Sequence, residues 1–324
     1  MMTLDEIQSV VKHELQEFEP YFRRYLQSPV PMLAAIADHT YRTRGKQLRP
    51  LLVLLSAKLN GEVGQSAYVG AAMMELLHTA TLMHDDVVDE ADSRRGRLSV
   101  NALFDSKTAV LAGDFLLSRG ALVALDYQNT DFLNIAVSAI RHMSEGELLQ
   151  MDKARRLDRS EELYFDIIRK KTALLLQSCT MIGAHSVGAA PQQVQAMGDY
   201  GERLGMAFQL RDDVLDFHSS GLTGKACGND IREKKITLPL IYALQQVGEA
   251  EQGRVVALVA NAEGSSSKVK QVVQFVQEHG GLAYADNVTR RYCRHAMQAL
   301  DPYPESPAKQ ALCGLAEYVA ERKK

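Results

Sequence analysis

The chain has little of what would mark a secreted, nucleic-acid-binding or membrane-spanning protein. Its 324 residues hold four cysteines, Cys179, Cys227, Cys293 and Cys313. No two form a Cys-x-x-Cys pair, so neither a zinc site nor a disulfide framework is encoded, and reduced thiols in an intracellular protein are expected. The net charge of −3 leaves no positive field to gather nucleic acid. No basic segment followed by an apolar run marks the N-terminus as a secretory signal. Residues 172–190 approach membrane-spanning length, but Gln177, Ser178, Thr180, His185 and Ser186 interrupt them, and a buried core helix is the expectation. Proline is scarce, at nine residues, and no run alternates as a half-buried strand does. Long helices are what remains.

Hydrophobic residues make up 46% of the chain, enough for a substantial core. Leu4, Ile7, Val11, Leu15 and Phe18 recur at helical spacing, and Pro20 should end or kink that segment. Pro29 and Pro31 mark a connection. Pro50 reads as the first-turn proline of a helix that Asn60-Gly61 closes. A helix over 66–90 is apolar nearly all round and should lie at the centre. Further helices are expected at 104–128, 131–150, 160–189, 191–218, 236–248, 252–261, 266–278, 281–299 and 306–322. Residues 218–228 and 263–267 read as loops, and the mixed charges of 153–159 as a solvated one. With no linker or repeat, residues 1–324 are expected to form one all-α domain, a single large helical bundle.

Two acidic clusters stand out from this background. In His84-Asp85-Asp86-Val87-Val88-Asp89, residues four apart bring Asp85 and Asp89 to one helix face. The spacing recurs at Asp212, Asp213 and Asp216, and Gln209 extends the same face. One such pentad is an ordinary solvated helix face. Two, each in a strongly apolar helix, gather like charge that is costly unless cations neutralise it. Mg²⁺ suits, because it shares its coordination sphere with waters and phosphate oxygens. Basic residues follow each cluster, Arg94 and Arg95 after the first, Lys225 and Lys235 after the second. They could be plain salt bridges, yet acids for metal beside cations for phosphate are what a diphosphate site needs. In Gly45-Lys46-Gln47-Leu48-Arg49-Pro50, a helix opening at Pro50 would bring Lys46 and Arg49 to its positive end.

At these residues the sequence resembles the trans-polyprenyl diphosphate synthases, over essentially the whole chain. The matching elements come in the family's order: GKQLRP at 45–50, HDDVVDEADSRRG at 84–96, GDFLL at 113–117, KT at 171–172, FQLRDDVLD at 208–216 and GKACGNDIREKKITLP at 224–239. Leu98 departs from the proline usual after the RRG segment, which should alter a loop and not the chemistry. The resemblance implies a bundle of the isoprenoid synthase type around a central cavity. It implies Asp85, Asp89 and Asp212 as Mg²⁺ ligands, supported by Asp86, Asp213 and Asp216 as catalytic acids. Arg94, Lys171, Thr172, Gln209, Lys225 and Lys235 would hold an allylic diphosphate primer, farnesyl or geranylgeranyl diphosphate, with Lys171 also catalytic. Lys46, Arg49, His78 and Arg95 would hold isopentenyl diphosphate. Ala80 and Thr81, small where short-product members carry bulky aromatics, imply a product of medium to long chain, with octaprenyl the first expectation. A cytoplasmic homodimer is implied, touching membranes peripherally if at all.

Other readings fit less well. A short-chain synthase remains the near alternative. A class I terpene cyclase shares one acidic motif but has no use for Lys46 and Arg49. A His-Asp phosphohydrolase needs several histidines around one metal, and His84 points about 100° away from Asp85. A non-catalytic subunit of a two-subunit synthase commonly has degraded acidic motifs, whereas both are intact here.

Overall fold

A computed structural model describes residues 2–94, 96–218 and 228–322, and helices carry nearly all of it. A capping box between Thr3 and Glu6 starts α1 (Leu4–Ser9), and α2 (Lys12–Leu26) follows. Pro20 does not end this helix. Phe18, Phe22, Tyr25 and Leu26 are buried along one side, and that packing outweighs the hydrogen bond a mid-helix proline forfeits. The break falls earlier, at Val10 and Val11. After α3 (Pro31–Arg42), α4 (Leu48–Asn60) begins two residues before Pro50, with Gln47 in the left-handed region at φ 50° before its first turn.

Next comes α5 (Gln65–Val88), buried almost throughout as its composition demands. Beyond it a hairpin unforeseen in the sequence pairs β1 (Ser93–Arg94) with β2 (Arg97–Leu98), Arg94 opposite Arg97. Two residues per strand are too few to show alternation. Leu98 lies half-exposed there, and its carbonyl meets His39 Nε2 at 3.0 Å. The short α6 (Val100–Leu103) leads to α7 (Ser106–Asp126), capped by Asp105. By length and composition α7 could cross a membrane, with a mean hydropathy of 1.5, yet it packs along α5 and leaves Leu111, Leu122 and Leu125 exposed.

α8 (Thr130–Arg156) outruns its expected end. Lys153, assigned to a solvated loop by its charged neighbours, is buried, and its Nζ donates to the carbonyls of Asp158 at 2.5 Å and Ser160 at 3.3 Å. The single helix expected over 160–189 is α9 (Glu161–Ile168), a π-helical turn (Arg169–Ala173) and α10 (Leu174–Ser186). α10 is the core element expected of residues 172–190, with Leu174, Leu175, Leu176 and Ile182 buried. Then come α11 (Pro191–Asp216), α12 (Asn229–Arg232), α13 (Leu238–Gln245), α14 (Glu249–Ala260), α15 (Ser266–Glu278), α16 (Gly281–Gln298) and α17 (Pro307–Glu321).

One core gathers around α4, α5 and α10, a second around α11, α13 and α16. α10 touches both α5 and α11, and the π-helical turn lies against α8 and α11. The two acidic helices are thereby fixed relative to each other by buried packing, and the segment carrying Lys171 and Thr172 sits beside the second of them.

Candidate functional site

Both acidic clusters fall in the last turn of a helix. Asp85 and Asp86 close α5 with Asp89 as its C-cap, and Asp212, Asp213 and Asp216 close α11. A helix C-terminus is the negative end of its dipole, so a carboxylate there is disfavoured by about 0.3–1 kcal/mol. Neither last turn holds a basic residue. Carboxylates placed this way need cations from other elements.

The fold supplies some. Arg94 Nε donates to buried Asp86 Oδ1 at 2.6 Å. Lys171 Nζ pairs with Glu147 of α8 at 2.5 Å. Asp85 feels this pair: burial drives its pKa up to about 6, Lys171 and Arg94 pull it down, and Glu147 and Asp89 push it up. Arg322, just beyond α17, brings Nη2 to 2.6 Å from Asp212 Oδ1 and donates to the Phe208 carbonyl. Lys235 pairs with Glu233. Burial works against its ammonium, but Glu233, Asp230 and Asp89 together hold its pKa above the usual value. Lys235 thus lies in the field of the first cluster (Asp89) while lining a cavity with Asp213 of the second.

That cavity, about 110 Å³, is lined by Lys171, Thr172, Gln209, Asp213, Asp230 and Lys235, among others. The π-helical turn carries the first two, a local widening of the helix common at functional sites. A chain of hydrogen bonds runs along the wall: Thr172 Oγ1 donates to Gln209 Oε1 (2.8 Å), Gln209 Nε2 to Asp213 Oδ1 (2.8 Å), and the Tyr164 hydroxyl to Asp213 Oδ2 (2.6 Å). Burial raises the pKa of Asp213, and these hydrogen bonds oppose the rise. Asp216 instead accepts the backbone N–H groups of Asn229 (3.0 Å) and Asp230 (3.1 Å). Thr237, at the start of α13, keeps a buried hydroxyl that neither caps the helix nor finds another partner among the described residues.

A second cavity, about 70 Å³, holds His78 with Glu75, Asp86 and Arg94. Arg94 thus lines a cavity with His78, while its charge, like that of Lys171, reaches Asp85. Arg49 is in the first turn of α4, and its charge and that of Glu75 both reach the buried Cys179 thiol, which burial pushes up to about 12. Lys46 is exposed and donates to the Tyr318 hydroxyl at 3.1 Å. Ala80 is fully buried, while Thr81 donates its hydroxyl to the His78 carbonyl. Arg95 and Lys225 lie outside the described residues. His84 turns to α7, where a side chain at Gly113 would collide with its ring at 2.3 Å, and it pairs with Asp114 at 3.3 Å. The GDFLL element is thus a close helix contact.

Among the described residues no three His, Cys, Asp or Glu side chains close around a point. The donor set is nonetheless hard oxygen, concentrated at two negative helix ends and partly buried. It fits a divalent cation that completes its sphere with water and diphosphate oxygens. Sequence reasoning overlooked Tyr164, Glu147 and Asp230. Asp230 stood inside the GNDI stretch of a recognised element. Tyr164 lies seven residues before Lys171, two helical turns away, and Glu147 carried no local signal.

The polyprenyl synthetase family profile matches residues 30–276. The chain is 35% identical over 323 residues to the octaprenyl diphosphate synthase of Haemophilus influenzae, covering 99% of this chain and 98% of that one. It is 36% identical over 301 residues to a short chain isoprenyl diphosphate synthase of Methanothermobacter thermautotrophicus, covering 91% of each. The fold superposes with a TM-score of 0.92 on the crystal structure of a polyprenyl synthase from Caulobacter crescentus complexed with calcium and isoprenyl diphosphate, at 32% identity, covering 99% and 98% of the two chains.

Proposed function

The chain belongs to the polyprenyl synthetase family and is a prenyltransferase that uses a divalent metal with isoprenyl diphosphate substrates; from that premise we propose that it joins isopentenyl diphosphate head-to-tail to an allylic diphosphate, making a medium-to-long all-trans polyprenyl diphosphate with Mg²⁺. The observation that carries this reading is a cavity lined by Lys171, Lys235 and Asp213 of the second acidic helix, whose two lysines also act on Asp85 and Asp89 of the first.

Lys171, Thr172, Gln209 and Lys235 hold the allylic diphosphate, and Arg94 approaches from the His78 side. Bound Mg²⁺ supplies further electrostatic stabilisation of the departing diphosphate. The allylic C–O bond breaks with its electron pair on the diphosphate, whose growing charge the lysines meet. His78, Lys46 and Arg49 hold isopentenyl diphosphate so that its double bond attacks the allylic cation, and positioning provides much of the acceleration. The released diphosphate takes the proton. Ile167, Ile168 and Ile236 on the cavity wall help to keep water from quenching the cation.

Product length rests on Ala80 and Thr81, one turn above Asp85, whose small side chains leave room for a growing tail. The octaprenyl relative covers 99% of this chain and the short-chain relative 91%, which supports the longer product. Octaprenyl length is the expectation. Incubation with farnesyl diphosphate, labelled isopentenyl diphosphate and Mg²⁺, followed by sizing of the dephosphorylated products, tests activity and length together. In the Ala80→Phe/Thr81→Phe double variant the products shorten; an unchanged distribution removes these residues from length control. We assign the working form to a cytoplasmic homodimer, supported by the apolar side chains that α7 and α8 expose.

A further inference from the structure

We propose that Tyr164 and Asp213 are positioning residues for the allylic diphosphate: they fix the Gln209 amide so that an N–H, and not its carbonyl, meets the diphosphate oxygens. The inference rests on reading the cavity beside α11 as the diphosphate site. An amide side chain has two orientations of nearly equal shape, and its hydrogen-bond partners choose between them. Here the hydrogen bonds set one orientation: Gln209 Nε2 donates to Asp213 Oδ1 at 2.8 Å. The Gln209 oxygen then turns to Thr172, whose hydroxyl donates to it at 2.8 Å. One amide hydrogen is committed to Asp213. The other remains for a ligand in the cavity that Gln209, Thr172, Lys171 and Lys235 line.

Tyr164 completes the device. Only 3% exposed, it spends its single proton on Asp213 Oδ2 at 2.6 Å. That bond pins the second oxygen and stops the carboxylate swinging away from Gln209. Asp213 is itself 4% exposed, so water cannot take over either contact. Remove either contact, and the amide is free to turn over and set its oxygen against phosphate oxygens. On this reading Asp213 differs from Asp212 in its task, although they adjoin in the sequence: Asp212 serves the metal, Asp213 the orientation of a donor.

The test compares Tyr164→Phe, Asp213→Asn and Gln209→Glu with Asp212→Asn. KM for farnesyl diphosphate and for isopentenyl diphosphate is measured at saturating Mg²⁺. Binding of inorganic diphosphate is followed by calorimetry, binding of Mn²⁺ alone by electron paramagnetic resonance, and folding by thermal melting. A hydrogen bond to a charged group is worth about 1.5–3 kcal/mol, or roughly tenfold to a hundredfold in affinity. The first three variants are therefore expected to raise KM for farnesyl diphosphate about tenfold or more and to weaken inorganic diphosphate equally. KM for isopentenyl diphosphate and Mn²⁺ affinity should stay within about twofold, while Asp212→Asn weakens Mn²⁺. Loss of Mn²⁺ affinity in Asp213→Asn to the extent seen in Asp212→Asn overturns the proposal. So does a Tyr164→Phe protein that melts early and loses kcat with both KM values unchanged. Asp213→Asn, nearly isosteric, keeps the question open to measurement if Tyr164→Phe does not fold. Wild-type protein that elongates nothing would defeat the functional reading itself, a result separate from any of these.

Discussion

At Asp85, burial and the charges of Glu147 and Asp89 outweigh Lys171 and Arg94, and the pKa rises to about 6. A carboxyl raised on folding contributes stability that is complete below its unfolded value, near 3.8, and lost as pH climbs through about 6. The metal-free protein thus bears a strained charge at neutral pH, and a cation relieves it. The melting-temperature gain from Mg²⁺ plus inorganic diphosphate should be large near pH 7.5 and shrink below about pH 6, measured by differential scanning fluorimetry. Arg322 makes a second residue-level case, since it neutralises Asp212 from a side chain only 10% exposed. Arg322→Ala should lower the melting temperature of the metal-free protein, by about 1 kcal/mol of stability given the partly exposed Asp212. The same change should tighten Mn²⁺ binding, because the ion no longer competes with the guanidinium. Weaker Mn²⁺ binding in the variant would mean that Arg322 supports the metal site. The acids themselves were legible because a three-and-four spacing writes a helix face directly into the sequence. Tyr164, Glu147 and Arg322 were not, because each reaches its partner from another helix across tertiary contacts.

Among the elements, the long helices announced themselves by composition, but their limits did not. α8 runs to Arg156 because carbonyls of the following turn receive the buried Lys153 ammonium, a solution invisible in a string of mixed charges. α2 passes through Pro20 because its aromatic face is buried. The π-helical turn that carries Lys171 and Thr172 has no signature in residue type. Its position depends on α10, which lies so close to α4 that a side chain on Gly183 would stand 2.2 Å from the Val53 carbonyl. Gly183→Ala must push these helices apart. About 2–3 kcal/mol of destabilisation is expected from urea unfolding, with a loss of activity larger than the unfolded fraction accounts for, since the π-helical turn moves with α10.

For the molecule as a whole, one all-helical bundle was readable from scarce proline, absent strand alternation and helical spacing. The surface was less so. α7 and α8 expose Leu111 and Leu148 at 67% each, with Leu122, Leu125 and Val137 nearby in sequence on the same two helices. Exposed apolar side chains grouped on two neighbouring helices are what the proposed dimer would cover, and a closed twofold pair is the commonest arrangement. Leu111→Glu combined with Leu148→Glu should convert the dimer to monomer in light scattering while leaving the circular dichroism spectrum helical. A wild-type chain that already runs as a monomer at micromolar concentration would refute that face as the contact.

The two acidic helices, α5 and α11, carry their carboxylates at their negative poles, and Lys235 feels Asp89 of the first while lining a cavity with Asp213 of the second. A polyanionic substrate arriving alone meets repulsion there, and a cation arriving alone finds an incomplete shell of ligands. Each supplies what the other lacks, so their affinities are linked, and linkage is reciprocal: the factor by which metal strengthens diphosphate binding is the factor by which diphosphate strengthens metal binding. Such a site is expected to fill cooperatively, each partner tightening the hold on the other.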